Sequence, residues 1–108
     1  MEGKNYVQLV GYVGQDLKET KGDHGLRVAI RLATHHYMTD GKDGKLYKTT
    51  WHNVIAWDEQ AVYAIGNIVK GSHILVEGKM GYAAYTGADG HKRTSTRIRA
   101  VTILNLGR

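Results

Sequence analysis

A strand that carries two tryptophans constrains the fold of this chain more than any other feature. In the segment 50–57, Thr-Trp-His-Asn-Val-Ile-Ala-Trp, large and small side chains alternate with the period of an extended strand. Trp51 and Trp57 therefore point from the same face. The opposite face carries His52, Val54 and Ala56 and is small and apolar enough to be the core side. The segment predicts a sheet with an aromatic face turned away from the core.

A short helix and another strand follow the tryptophan strand. Asp58 and Glu59 supply an acidic start, apolar residues continue at helical spacing, and Lys70-Gly71 supplies a stop signal. The segment 73–79 then has the composition of a strand. A strand, a helix that plugs one end of a sheet and a return strand are the components of a small closed barrel.

Two further strands precede the tryptophan strand. The segment 5–17 is predicted as a strand that is apolar on both faces, with Gly11 and Gly14 marking a bulge or bend. The polar, glycine-punctuated segment 18–25 is predicted as a loop. A second strand follows at 26–33, where apolar and polar or small residues alternate.

The order of the predicted elements indicates the fold class. Hairpin tips are predicted at 38–48 and 86–93, and a fifth strand places Thr96, Ile98 and Ala100 inward. The resulting order, β-β-β-α-β-β, is that of the oligonucleotide/oligosaccharide-binding barrel, or OB-fold. We expect an all-β chain with one short helix, a five-stranded Greek-key OB-fold whose helix lies between strands 3 and 4. Residues 1–108 are expected to form a single nucleic-acid-binding domain.

The distribution of charge favours a polyanionic partner. The chain has a net charge of +5, and the excess lies from Lys79 onward, where six basic residues face one acid, Asp89. A one-sided basic zone favours nucleic acid over membrane, because no basic amphipathic helix is present to lie on lipid. The alternative is that these basic residues lie on the solvent-exposed edge of a strand, where charge prevents pairing with another chain. With no cysteine, no signal peptide and no long apolar run, we expect a cytoplasmic, nucleoid-associated protein.

Patterns for catalysis and metal binding are mostly absent from the sequence. The six histidines include His35 and His36, which would point to opposite faces of a strand, and there is no HExxH motif. No phosphate-binding loop, nucleophile elbow or paired-carboxylate cleft is present either. We expect no enzyme activity, no metal and no cofactor.

Aromatic side chains with nearby cations are the strongest functional signal. Unpaired bases stack on flat side chains, each stack being worth about 1–3 kcal/mol, while a basic groove follows the phosphates. The candidate stacking residues are Tyr37, Trp51, Trp57 and Tyr85. The candidate phosphate-binding residues are Lys70, Lys79, Lys92 and Arg93. The alternative for the two tryptophans is ordinary core packing, since tryptophan is highly buried on average.

Several segments, in their order and spacing, resemble the bacterial single-stranded DNA-binding protein family. They are the segments 7–11, 13–16, 32–34, 50–57, 70–72 and 76–78. The resemblance extends over essentially all of the chain. It implies an OB-fold barrel that assembles as a homotetramer and wraps single-stranded DNA without much sequence preference, in DNA replication, recombination and repair.

The resemblance also assigns roles to individual residues. Trp51, Trp57 and Tyr85 fall on base-stacking positions of the family, and Tyr37 falls near a fourth, for which Met38 is a competing alignment. Lys70, Lys79 and Arg93 fall where the family places phosphate-contacting cations. His52 falls on a histidine important for subunit association. The first strand would pair with its copy in a neighbouring subunit and hide an exposed edge. The implied oligomer-interface residues are Tyr6, Val7, Gln8, Leu9 and His52.

Some positions depart from the family pattern. Asn53 replaces an arginine that is common in the family, which weakens one phosphate contact. Arg97 and Arg99 replace acidic or neutral residues, and they either extend the DNA path or are ordinary surface residues. Relatives usually continue into a flexible linker and an acidic tip that recruits other enzymes. This sequence ends at Arg108 without one, so we expect no recruitment by that route.

Two other functions share the same barrel. A primosome-type accessory protein, usually dimeric, acts chiefly through protein partners but tends to have few aromatics on its barrel face. An RNA-binding module is the other, since stacking on an exposed strand does not itself distinguish ribose from deoxyribose.

Overall fold

The computed structural model describes residues 3–39 and 45–107, which form six strands and one helix. The strands are β1 (Val7–Val13), β2 (Lys18–Gly22), β3 (Gly25–Thr39), β4 (Lys45–Trp57), β5 (His73–Thr86) and β6 (Lys92–Asn105). The helix α1 (Asp58–Asn67) lies between β4 and β5. The predicted all-β class with a single helix after the tryptophan strand is confirmed.

The strands close into a barrel because β1 pairs with two neighbours. The order along the sheet is β1-β5-β6-β4-β3-β2, and β1 also pairs with β3 through Tyr12 with Ala33 and Val13 with Leu32. All pairings are antiparallel except that of β4 with β6, where Val54 lies opposite Ile98. This strand order and the helix at its position confirm the OB-fold. Of the predicted tip 38–48, residues 40–44 lie outside the described residues, whereas 38–39 and 45–48 belong to β3 and β4, so that part of the prediction is wrong.

The core lies on the face that the alternation of β3 and β4 predicted. Val54 and Ala56 are fully buried, and α1 covers this interior with Ala61 and Ala64. The other strands contribute a set of mostly β-branched side chains that interdigitate with them, as expected for a small barrel filled by its own side chains. These residues are Val13, Val28, Ile30, Leu32, Ile74, Val76, Ile98, Ala100 and Ile103.

The loop predicted for 18–25 is wrong, because most of it forms β2. Lys18–Gly22 pairs with β3 from Ala29 to Gly25 in a tight hairpin. Every side chain of β2 is exposed, so the strand has no buried face to produce an alternating pattern in the sequence. Its stability comes from the backbone ladder with β3. As a result there are six strands rather than five, and β1 ends at Val13, not at Leu17.

The helix begins as predicted but ends early. Asp58 and Glu59 occupy its first turn, where carboxylates interact favourably with the helix dipole. Ile68 has left the helical conformation and turns a nearly fully buried side chain into the core, so Lys70-Gly71 lies in the following turn. Within the described residues, no helix is long and apolar enough to cross a membrane.

A bulge explains why the alternation in the last strand loses its phase. Gly78 of β5 lies opposite Ala100, whereas Glu77 lies opposite Thr102, which leaves Val101 as an extra residue. A bulge reverses which side chains face inward. Ile98 and Ala100 are therefore buried before it and Ile103 after it. Thr96, predicted to face inward, is exposed because β5 and β6 extend beyond the barrel there.

Gly11 lies where two strands approach closely, rather than at the predicted bulge or bend. A Cβ atom at this position would lie 2.2 Å from the carbonyl oxygen of Ala33. The crossing of β1 over β3 that closes the barrel therefore requires a residue without a side chain here.

We predict that Gly11→Ala destabilises the protein by about 1–3 kcal/mol, the usual cost of overpacking, because backbone must move to admit the methyl group. Chemical unfolding measures this free energy. Gly66→Ala in α1 is the matched control, since its Cβ would meet nothing within 4 Å, and it should be neutral or stabilising. Equal stability of the Gly11 variant and the unmodified protein would contradict the close approach.

Candidate nucleic-acid interface

The side of the sheet opposite the core carries most of the predicted site. Arg27 lies opposite Trp57, Arg31 opposite Asn53, and Ala33 opposite Trp51 on β3 and β4. The face continues through β6 and β5, where Ile55 is paired with Arg99 and Arg99 with Lys79. We call this surface the aromatic-basic face. Its members are Arg27, Arg31, Trp51, Asn53, Ile55, Trp57, Lys79, Tyr85, Arg93, Arg97 and Arg99.

Trp51 is a surface residue held in place by its neighbours. Its side chain is 46% exposed, so the core-packing alternative fails for this tryptophan. A Cβ at Gly14 would lie 2.3 Å from Cζ3 of the indole, which shows that the ring rests directly on the glycine backbone. The Arg31 Cζ atom lies 5.3 Å from the ring centroid, a cation–π contact worth about 0.5–1 kcal/mol at exposed sites.

Arg31 is in turn held by the residue opposite it. Its Nη1 donates a hydrogen bond of 2.7 Å to the Asn53 side-chain oxygen. Asn53 was expected to weaken a phosphate contact. Arg31, which lies opposite Asn53 on β3, nevertheless supplies a positive charge at this place. Sequence reasoning missed Arg31 because its position beside Trp51 depends on the register of β3 against β4.

Trp57 lines a groove rather than filling the core. The groove, which we call the Trp57 groove, has a volume of about 340 Å³. Its lining includes Trp57, Ile55, Met80 and four cations, Arg27, Lys79, Arg97 and Arg99. The sequence left two roles open for Arg97 and Arg99, either a part of the DNA path or an ordinary surface position. Both residues line the groove beside Trp57, a predicted stacking residue.

A second groove continues the first toward Trp51. It has a volume of about 220 Å³ and shares Arg27, Ile55 and Arg97 with the Trp57 groove. It also reaches Arg31 and Asn53, which lie next to Trp51. We call the two adjoining grooves the channel; it runs from Trp57 to Arg31 and Asn53, the neighbours of Trp51, which itself lines neither groove.

Tyr37 belongs to an aromatic series on the long β3–β4 hairpin. It is 72% exposed and its ring lies 5.4 Å from that of Tyr47, edge to face. Tyr47 also contacts His35, and Tyr12 of β1 lies between His35 and His73, stacked on the latter at 4.6 Å. Tyr47 was missed because it was assigned to a hairpin tip. The alternation that continues backward from Trp51 would have identified it.

The β5–β6 hairpin places only some of its predicted residues on the aromatic-basic face. Tyr85 is 51% exposed and lies opposite Arg93. Arg93 forms a 2.7 Å ion pair with Asp89, whose pKa is lowered by the His91 backbone N–H and by this guanidinium. Lys92 is adjacent to Arg93 in the strand and so points to the opposite face.

Lys70 lies at the Trp51 end of the molecule, off the strands. It is followed by Gly71, whose N–H donates a 2.7 Å hydrogen bond to the Val13 carbonyl. Val13 in turn precedes Gly14, which contacts the Trp51 ring. The Lys70 side chain borders a separate groove with Asp16 and Ile65.

The predicted oligomer-interface residues of β1 divide between its two faces. Val7 and Leu9 are half-buried and pack against the core. Tyr6 and Gln8 are exposed, and both donate hydrogen bonds to the Glu77 carboxylate. The bond from Tyr6 raises the pKa of its phenol, since loss of the proton would place two negative charges together. Their interface role stays a prediction.

His52 points toward the barrel interior, on the core side of β4. Its Nε2 lies 2.9 Å from the Thr34 hydroxyl. Burial lowers the pKa of His52, and the positive charge of Arg31 lowers it further. Both effects favour the neutral imidazole, and the role of His52 in subunit association stays a prediction.

Comparison with known proteins identifies the family of this chain. The model of the single-strand binding protein family matches residues 4–106. The chain belongs to this family. The structure of the Plasmodium falciparum SSB complex with ssDNA superimposes with a TM-score of 0.85 at 20% identity, covering 99% of this chain and 98% of that one. A small single-stranded DNA-binding protein from Streptomyces coelicolor gives 0.76 at 26% identity, covering 93% and 92%.

Sequence relatives in the family are similar over nearly the whole chain. The single-stranded DNA-binding protein of Xylella fastidiosa is 38% identical, covering 97% of this chain and 65% of its own length. The Xanthomonas campestris protein of the same name is 34% identical, covering 97% and 62%. The mitochondrial single-stranded DNA-binding protein 1-A of Xenopus laevis is 32% identical, covering 94% and 76%. The chain thus spans about three fifths of the Xanthomonas relative.

We predict that Gly14→Ala displaces the Trp51 indole, because the added methyl group would lie 2.3 Å from the ring. The intrinsic tryptophan emission should move to longer wavelength as the ring leaves its support and becomes more hydrated. Gly22→Ala is the control, since a Cβ there meets nothing within 4 Å. An unchanged spectrum for Gly14→Ala would mean that the indole does not rest on this glycine.

Proposed function

We propose that this protein binds single-stranded DNA without sequence preference and so protects it during replication, recombination and repair, in the nucleoid. The observation that carries the proposal is the channel that runs from Trp57 to the neighbours of Trp51, because it places cations beside a half-buried and an exposed indole. Membership of the single-strand binding protein family supports it, as do relatives that bear the name of single-stranded DNA-binding proteins.

The chemistry of the channel suits unpaired strands of any sequence. Bases of all four kinds have flat faces that stack on indole or phenol rings, whereas duplex DNA keeps those faces covered. Six cationic side chains line the channel beside neutral polar groups and one carboxylate, Asp16, and cations of this kind bind phosphates, which carry no sequence information. Bases would stack on Tyr37, Trp51, Trp57 and Tyr85, with Arg31 and the cations of the Trp57 groove beside them.

The remaining predicted cations have lesser roles in this proposal. Arg93 shares its charge with Asp89, Lys92 points away from Tyr85, and Lys70 lies at the Trp51 end, where a strand leaving the channel would pass. We propose that they contribute to the field that attracts DNA more than to individual contacts.

We also propose that copies of the chain associate, as a homotetramer. A row of apolar side chains crosses the outer surface of three strands: Val10 lies opposite Leu75, which lies opposite Leu104. Val10 is 49% and Leu104 47% exposed, and Tyr12 lies beside them. Apolar surface of this extent favours burial against a second copy. The edge of β1 supports the same proposal, since from Val7 to Gly11 its described pairing is with β5 alone.

We predict that Trp51→Ala weakens binding of a poly-deoxythymidine oligonucleotide by about 1–3 kcal/mol, the usual worth of one base–aromatic stack. Anisotropy of a labelled oligonucleotide measures the affinity. Other base compositions should lose the same amount. Trp51→Phe is the matched control, since it keeps an aromatic plane and should retain most of the affinity.

The same titration distinguishes binding of single-stranded DNA from binding of duplex DNA or of RNA. Duplex DNA should compete poorly, and a ribo-oligonucleotide of the same sequence reports any preference for RNA. The dissociation constant should rise steeply with salt, because phosphate binding releases counterions. Full affinity of Trp51→Ala would remove this residue from the binding site, and no binding by the unmodified protein would overturn the proposed function.

We predict that Val10→Asp reduces the assembly to smaller species, because a carboxylate would be buried without a partner in the apolar contact. Light scattering or native mass spectrometry measures the mass. Val62→Asp is the matched control, because Val62 is a still more exposed valine on α1, outside the proposed contact. Assembly that survives Val10→Asp unchanged would exclude this surface as the interface.

A further inference from the structure

Two like charges lie directly opposite each other on the aromatic-basic face. Lys79 of β5 and Arg99 of β6 are cross-strand partners. Opposed side chains in an antiparallel pair have Cβ atoms about 4.5–5.5 Å apart, and like charges in this position destabilise a sheet. A bound anion would offset this repulsion, and within residues 3–39 and 45–107 neither side chain forms an ion pair.

The surroundings of the pair add to its positive potential. Arg27 and Arg97 line the same Trp57 groove, and they too have no ion-pair partner within the described part of the chain. Arg97 lies opposite Gly81, where no side chain limits access to the groove. Four cations around one concave site repel one another, and this repulsion is relieved when a bound anion enters.

The wall of the groove suits a nucleobase. Trp57, Ile55 and Met80 supply an apolar surface next to the cations. Asn5 fixes the backbone of Met80, since its amide donates to the Met80 carbonyl at 2.7 Å and its oxygen accepts from the Met80 N–H at 2.9 Å. The volume of about 340 Å³ falls at the lower end of small-molecule sites.

We propose that the Trp57 groove is a one-nucleotide subsite in which Lys79 and Arg99 together hold a single phosphate while the base lies against Trp57 and Met80. The inference rests on the proposed function and narrows it, by giving Arg99 a binding role and pairing it with Lys79. A guanidinium engages two phosphate oxygens and an ammonium approaches a third as a point charge, so the two groups are compatible on one anion.

Sharing of one phosphate has a measurable signature. The log of the affinity for single-stranded nucleic acid falls with the log of salt by about 0.7 for each phosphate neutralised. If either cation alone still neutralises the shared phosphate, Lys79→Gln and Arg99→Gln each keep the slope of the unmodified protein. The double variant loses the phosphate, and its slope falls by about 0.7.

The experiment measures the binding of a poly-deoxythymidine oligonucleotide over a series of salt concentrations for these four proteins. Affinity should fall severalfold in each single variant and by more than the product of the two single losses in the double variant. Lys21→Gln on β2 is the control for loss of one charge, and it should change neither slope nor affinity beyond a small field effect. Thermal melts verify that every variant is folded.

Each other result overturns the proposal. Slopes that fall by about 0.7 in each single variant and by about 1.4 in the double variant would mean two separate phosphates. Unchanged affinity in the double variant, with normal binding by the unmodified protein, would remove the groove from the site and leave the proposed function intact. No binding by the unmodified protein would remove both.

A charge reversal tests the like-charge pair independently. Lys79→Glu turns the pair into an opposite-charge pair, so the melting temperature of the DNA-free protein at low salt should rise while oligonucleotide affinity falls. Opposite changes in stability and affinity cannot arise from misfolding. A melting temperature that stays the same or falls would overturn the claim that Lys79 and Arg99 repel each other in the free protein.

Discussion

The two-residue period of β4 is the constraint on which the rest of the structure depends. Val54 and Ala56 must fill the barrel interior, where both are fully buried, and so the tryptophans on either side of them must face outward. A shift of one residue in the pairing of β4 would bury the indoles and expose the core. Closure of the barrel therefore fixes the exposure of Trp51 and the position of Trp57 in its groove.

The charges of the aromatic-basic face are not arranged for stability. A sheet optimised for stability would place opposite charges across from each other, yet here Arg99 lies opposite Lys79 and Arg31 lies over the ring of Trp51. Among the described residues, the ion pair on this face is that of Arg93 with Asp89, at the far end of the hairpin. The positive charges along the channel remain available to phosphates.

The two proposed contacts share β5 and β6 but lie on different segments of these strands. DNA would lie along β3 and β4 and the basic side of the β5–β6 hairpin, whereas Val10, Leu75 and Leu104 lie on the outer surface of β1, β5 and β6. Because the two surfaces share few residues, association of copies would leave each channel open.

The sequence by itself determined the elements whose side chains alternate between a buried and an exposed face. The core of β3 and β4, the helix start at Asp58 and the outward direction of Trp51 follow from local periodicity, because burial of one face leaves a pattern in neighbouring residues. The strand β2 left no such pattern, since all of its side chains are exposed. Its position became visible only through its backbone pairing with β3.

Only the tertiary structure decided which distant residues meet. The contact of Arg31 with Trp51, the opposition of Lys79 and Arg99, and the bulge at Val101 depend on strand register, which is set by residues far apart in the chain. Gly11 and Gly14 are required by a crossing strand and an indole ring, neither of which is a sequence neighbour. The sequence identified which kinds of side chain form the candidate site. Strand register determined how they are arranged, because closure of the barrel aligns strands that are far apart in the chain and leave no local pattern of their pairing.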